Sequence, residues 1–181
     1  MNEGLIPSRY AKALYKFALE KGAAERVFGL MKSLTAAFTS QEELQPVMSN
    51  PFVSDSDKVA LLDTAAGAAA QDSCFHDFLK LLIENKRVSL VRGIALAYEN
   101  LYRHENNIYR VNVVMAAPMA ADEETRLKTL IEKHLGGASM EYTHTIDPDL
   151  IGGFVVNIDS ERLDASIKNE LKQLRLKLLS K

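Results

Sequence analysis

The chain has 181 residues, is 47% hydrophobic and carries a net charge of −2, enough apolar material for one sizeable core or two small ones. That charge excludes bulk electrostatic attraction for nucleic acid or anionic lipid; the lone cysteine, Cys74, excludes an intramolecular disulfide and suits a reducing compartment. No apolar run approaches the ~18 residues needed to span a bilayer, and the MNEGLIPSRY start lacks the pattern of a secretory signal or organellar presequence, so a cytosolic chain made without a presequence is expected.

Residues up to about Asn106 read almost entirely as helix. Pro7 and Ser8 mark the start of a first helix running to about Lys21, with Gly22 as its stop. A second is expected from Ala23 to about Ser40. A short third, Gln41 to Ser49, contains Pro46 and ends at Asn50-Pro51. Ser54-Asp55-Ser56-Asp57 offers N-caps for a fourth that fades near Gly67. Asp72 or Ser73 is expected to cap a fifth, ending near Asn85. The sixth spans about Val88 to His104, with Val91, Ile94, Ala95, Tyr98 and Leu101 or Tyr102 on one face.

The pattern changes at Glu105-Asn106-Asn107. From Ile108 to Met115, Tyr109, Val111 and Val113 alternate with Arg110, Asn112 and Val114, the period of a strand. Pro118 and Asp122 precede a helix from about Glu123 to Leu135, stopped by Gly136-Gly137. Met140, Tyr142, His144 and Ile146 alternate with Glu141, Thr143 and Thr145 in a second strand, which Asp147-Pro148-Asp149 breaks. Gly152-Gly153 leads into a third strand, Phe154 to Ile158. A short further piece is expected at Arg162-Leu163-Asp164, then a basic amphipathic helix from about Ser166 to Leu179. The fold class that follows is α+β: a six-helix N-terminal bundle, residues 1–105, then a small α/β domain, residues 106–181, with a short sheet and two helices.

Two helices carry more apolar surface than a surface helix needs. On the first, Tyr10, Ala11, Ala13, Leu14, Tyr15, Phe17 and Ala18 fill an arc of roughly 200°. On the fifth, Cys74, Phe75, Phe78, Leu79, Leu81, Leu82 and Ile83 do the same. Either both helices are central in the bundle, or they form a groove for a partner helix. The last helix places Ile167, Leu171, Leu174 and Leu178 at three- and four-residue spacing among Lys168, Lys172, Arg175 and Lys177. It either packs on the sheet with a solvated basic edge or docks another subunit.

Catalytic chemistry finds no support. Cys74 and His76 point roughly 160° apart on a helix, which suits a small core thiol and a surface histidine better than a nucleophile pair. His104, His134 and His144 have no helical i, i+4 mate or cysteine partner, as a zinc site requires. Asp147 and Asp149 read as turn residues, and Gly152-Gly153 lacks the lysine and hydroxyl of a phosphate loop. No cofactor or metal is expected.

The segment MEYTHTIDPDLIGGFVVNID, Met140 to Asp159, resembles the C-terminal signature of the ATP synthase delta subunit family, whose mitochondrial counterpart is called OSCP. The positions that carry the resemblance are Met140, Tyr142, Ile146, Asp147, Leu150, Gly152, Gly153, Phe154, Val156 and Asn157. RYAKALYKFALEKG, Arg9 to Gly22, is similar to the family's first helix, and FLKLLIENKRVSLV, Phe78 to Val91, to its fifth-to-sixth helix junction. Asp159 and Ala165 depart from it, standing where the family often has glycine.

The resemblance implies a non-catalytic stator subunit of a rotary F-type ATP synthase. It implies that the N-terminal helix of an alpha subunit docks between the first and fifth helices, on Tyr10, Ala13, Leu14, Phe17, Phe75, Phe78, Leu79 and Leu82. It implies that the C-terminal domain meets the end of the b subunit of the peripheral stalk; the basic edge of the last helix, Lys168, Lys172 and Arg175, is the expected contact. One copy per complex is expected, monomeric when isolated, peripheral on the cytoplasmic face of a bacterial inner membrane, with no membrane insertion and no nucleic acid. The rival readings are a two-domain adaptor for helical peptides in an unrelated complex and an RNA-binding protein. What co-purifies separates the first, and salt-sensitive nucleic-acid affinity identifies the second.

Overall fold

The computed structural model describes residues 4–159 and 161–179. The first helix, α1, spans Leu5–Glu20, two residues ahead of the Pro7 start signal. Pro7 is accommodated because the first helical N–H groups have no intrahelical acceptor anyway, and the Ser8 hydroxyl donates to the Gly4 carbonyl at 2.9 Å. At the other end Ala23 N–H reaches the Ala18 carbonyl (2.8 Å) and Gly22 N–H the Leu19 carbonyl (3.0 Å). Gly22 turns left-handed with φ +65° to allow both bonds.

Five further helices precede the first strand: α2 (Ala24–Ser40), α3 (Leu44–Ser49), α4 (Asp55–Ala66), α5 (Ser73–Glu84) and α6 (Val91–Glu105). Ser54 caps α4 by accepting from the Asp57 amide. The chain divides into two units, Met1–Glu105 and Asn106–Lys181. In the first, α6 packs against both α1 and α2, and its Val91, Ile94, Ala95 and Tyr98 are wholly buried. They meet Ala11, Leu14 and Ala18 of α1 and Leu30, Met31 and Leu34 of α2 in one continuous core. Asp72 corrects a sequence expectation. It makes no side-chain cap to α5; instead its buried carboxylate takes a bidentate pair from Arg26 at 2.8 and 2.9 Å and accepts from the Ala69 amide. The Arg26 hydrogen bonds hold its pKa down to about 2.

The second unit is a four-stranded sheet, β1 (Ile108–Met115), β2 (Ser139–Ile146), β3 (Gly153–Ile158) and β4 (Glu161–Ser166), with α7 (Ala121–His134) and α8 (Ile167–Leu179). The order is β2-β1-β3-β4; β1 and β2 are parallel, joined through α7, and the other pairs are antiparallel. The short piece expected at Arg162 to Asp164 is thus the middle of a full edge strand. Val111, Val113, Met115 and Val156 lie on one face under Leu127 and Ile131 of α7. Lys128 ties α7 to β2, pairing with Glu124 at 2.9 Å and standing 4.3 Å from the Tyr142 ring centroid.

The turn between β2 and β3 explains the two glycines of the C-terminal signature. Asp147 accepts from the Asp149 amide at 3.0 Å, as the turn expectation requires. A Cβ on Gly152 would stand 2.4 Å from Ile167 Cδ1, and one on Gly153, at φ +75°, 2.2 Å from the Ala165 carbonyl oxygen. Asp159, in the other departure from the family pattern, adopts φ +45° without being glycine.

Of the two readings of the last helix, packing on the sheet fails in this unit. The apolar stripe of α8 does not pack on the sheet. Asp164 accepts from the Ser166 hydroxyl at 2.6 Å, and Ser166 in turn caps α8 by accepting from the Asn169 amide at 3.2 Å. This anchors the first turn, and beyond it Leu171, Leu174 and Leu178 keep more than half their surface in solvent. The physical reason is direction: α8 leaves the end of an edge strand, and among the described residues it packs chiefly on β4 and the 148–150 turn.

Candidate functional site

The first unit leaves a furrow between α1 and α5. The helices run antiparallel: Lys21 beyond the end of α1 acts electrostatically on Cys74 at the start of α5, and Arg87 beyond the end of α5 reaches Tyr10 near the start of α1. Tyr10, Ala13 and Phe17, spaced i, i+3, i+7, form one wall. Leu14 and Phe78 form the floor, and Asp77 and Leu81 the other wall, around about 290 Å³. Across Tyr10 a second hollow of about 300 Å³ continues between Leu5, Ile6, Arg9 and Arg87. The Arg87 guanidinium stands 5.5 Å from the Tyr10 ring centroid and donates to its hydroxyl at 3.0 Å.

The eight residues assigned to this furrow from the sequence fall into three groups. Ala13 is open to solvent on its wall, and Tyr10 and Phe17 are half-buried there. Leu14 and Phe78 are buried but line its floor. Phe75, Leu79 and Leu82 are corrected: they are inside the core at 1% exposure or less and line no part of the furrow. They support the groove from beneath. Leu81, 44% exposed, and Asp77 belong to it instead. Their signal was present in the apolar arc and polar edge of α5, but the arc alone did not say which part faced inward. A larger hollow, about 570 Å³, lies between α1 and α6, with Ala13, Tyr15, Leu19 and Leu101 lining it beside Lys12, Lys16 and Glu105.

The second unit has two uncovered surfaces. Lys168, Lys172 and Arg175 lie exposed along α8 beside its bare leucines. A hollow of about 430 Å³ flanks α7 over β3 and β4, lined by Leu130, Ile131, Phe154, Val156 and Leu163 among others. The sequence reading missed it, because alternation along β3 and β4 shows which residues share a face and not how far one helix covers it.

The polar groups do not assemble into a reaction centre. Cys74 is buried, and burial pushes its thiol pKa up, away from nucleophilic use. His76 lies 3.4 Å from Asp63. His134 and His144 face Glu161 and Glu124 singly. Among the described residues no three His, Cys, Asp or Glu come together as metal ligands would, and no helix is long and apolar enough to cross a membrane.

Comparison with known proteins places the chain in a family and a fold. Residues 6–178 match the family described as ATP synthase delta (OSCP) subunit. ATP synthase subunit delta of Parabacteroides distasonis is 38% identical over 99% of this chain and 98% of its own length. That of Bacteroides thetaiotaomicron is 36% identical over 100% and 97%. A chain of the Toxoplasma gondii mitochondrial ATP synthase hexamer shares the fold at a TM-score of 0.71 and 23% identity, covering 96% of this chain and 97% of that one. The protein belongs to the ATP synthase delta (OSCP) subunit family, structural and non-catalytic components of the ATP synthase peripheral stalk.

Proposed function

We propose that the protein ties the catalytic head of a rotary ATP synthase to its peripheral stalk, so that proton translocation drives synthesis instead of turning the head. The six-helix N-terminal unit binds the N-terminal helix of an alpha subunit in the α1–α5 furrow. The C-terminal unit meets the end of the b subunit, with Lys168, Lys172 and Arg175 at the contact. The complex places the protein, one copy each, on the cytoplasmic face of a bacterial inner membrane. The observation that carries this reading is the furrow itself, an open apolar trough with a floor of Leu14 and Phe78, the shape and chemistry that an amphipathic helix fills. A torque-bearing link needs slow dissociation, which buried apolar anchors provide better than exposed ion pairs.

The test is binding of a synthetic alpha-subunit N-terminal peptide to the full chain, followed by fluorescence anisotropy. Ala13→Asp sits on the open wall and is expected to abolish binding with an unchanged melting temperature. Normal binding by a folded Ala13→Asp variant places the alpha contact elsewhere.

A further inference from the structure

The two ends of the α1–α5 furrow differ in charge. Asp77 is the one charged side chain lining the hollow between Tyr10 and Phe17. It is exposed and has no hydrogen-bond or ion-pair partner among the described residues. The adjoining hollow beyond Tyr10 is lined by two cations, Arg9 and Arg87. Arg87 spends one N–H on the Tyr10 hydroxyl, and a guanidinium carries five. Lys21 stands 5.7 Å from the Phe17 ring centroid, outside the hollow's lining. Apolar floor runs between an acidic end and a basic end.

We infer that Asp77 and the Arg9–Arg87 pair set the register of the docked helix, selecting a partner whose apolar stripe is flanked by a cation at one end and an anion at the other. This inference rests on the helix-binding reading of the furrow. An apolar trough alone accepts an amphipathic helix slid by one turn or reversed, since a stripe repeats every three to four residues. Charges at the ends remove that freedom, because the wrong placement sets like charges together or strands a desolvated carboxylate. Arg87 bonds Tyr10, and Asp77 lines the hollow that reaches Phe17, seven residues further along α1, about 10 Å at a helical rise. The complementary pair on the partner therefore lies about two turns apart, with its cation at Asp77.

The experiment uses the full chain and a synthetic alpha-subunit N-terminal peptide from the same organism, with each peptide Lys or Arg changed singly to Glu. One of these changes is expected to weaken binding about three- to tenfold. Asp77→Lys is expected to weaken the unmodified peptide by a similar factor and to restore binding of that one variant. Because Asp77 is exposed and unpartnered, the variant should melt like the parent, and a melting curve checks this. Should no peptide variant be rescued, Asp77 does not set the register, even though the unmodified peptide binds. If the unmodified peptide itself fails to bind the parent chain, the furrow is not the alpha site and both readings fall.

Discussion

The two units bury their apolar residues very differently. Among the described residues the first packs 22 into one core, whereas α7 and its sheet enclose six. The first has an apolar furrow where α1 and α5 part, over a floor that is itself buried, and a second apolar-lined hollow between α1 and α6. The second leaves α8 beyond its first turn and one flank of α7 bare. Docking on the first unit then adds a helix to a finished structure, while docking on the second supplies cover that its own chain does not. The difference teaches that an exposed apolar residue means different things in the two places: a few anchors in one, a missing layer in the other.

The largest effect that can break this comparison comes from the core beneath the furrow. Phe75→Ala should cost about 3–5 kcal/mol and unfold the first unit, since the residue is fully enclosed. We expect residues 1–105 expressed alone to fold and show the same loss by circular dichroism, and a segment without a cooperative melt would deny the unit independent stability. Ala13→Asp, on the open wall that α1 contributes, should leave the melt unchanged. Its cost of about 2 kcal/mol or more should appear in alpha-peptide affinity alone, because it sets a carboxylate on an apolar contact. If both substitutions lowered stability equally, floor and wall would not be distinct.

A smaller effect concerns pH. Asp72 has its pKa depressed by the Arg26 hydrogen bonds, from 3.8 to about 2. A depressed carboxylate stabilises the fold fully above its unfolded pKa, and that contribution fades as pH falls from about 4 toward 2. Arg26 is half exposed, so screening reduces the effect to about 1–2 kcal/mol. Denaturant melts at pH 5 and pH 2.5 should show this loss in the parent and a smaller one in Asp72→Asn. The smallest stability effect is expected on α8, where Lys168, Lys172 and Arg175 changed together to Glu should alter stability by less than about 0.5 kcal/mol. The same triple variant should weaken b-subunit binding in a pull-down, and unchanged binding would move the stalk contact to the hollow beside α7.

Much of the local structure follows from the order of residues along the chain. The 3.6-residue spacing of Val91, Ile94, Ala95 and Tyr98 named the buried face of α6, and the alternation of Val111 and Val113 named the buried face of β1, because periodicity is a property of neighbours along the chain. The stop at Gly22 was legible for the same reason. So was the family, through residues such as Gly152 and Gly153 whose missing side chains admit Ile167 and the Ala165 carbonyl. What only the tertiary structure decided depends on groups distant in sequence. Asp72 read as a local cap, and Arg26, 46 residues away, claimed it. On α5, whose apolar arc covers more than half the helix, the spacing did not divide Phe75, Leu79 and Leu82, inside, from Leu81, outside. On α8 the heptad-like leucines defined a face but not what covers it. An amphipathic pattern specifies that a surface leaves water, and the surface that meets it is chosen by the path of the rest of the chain or by another chain.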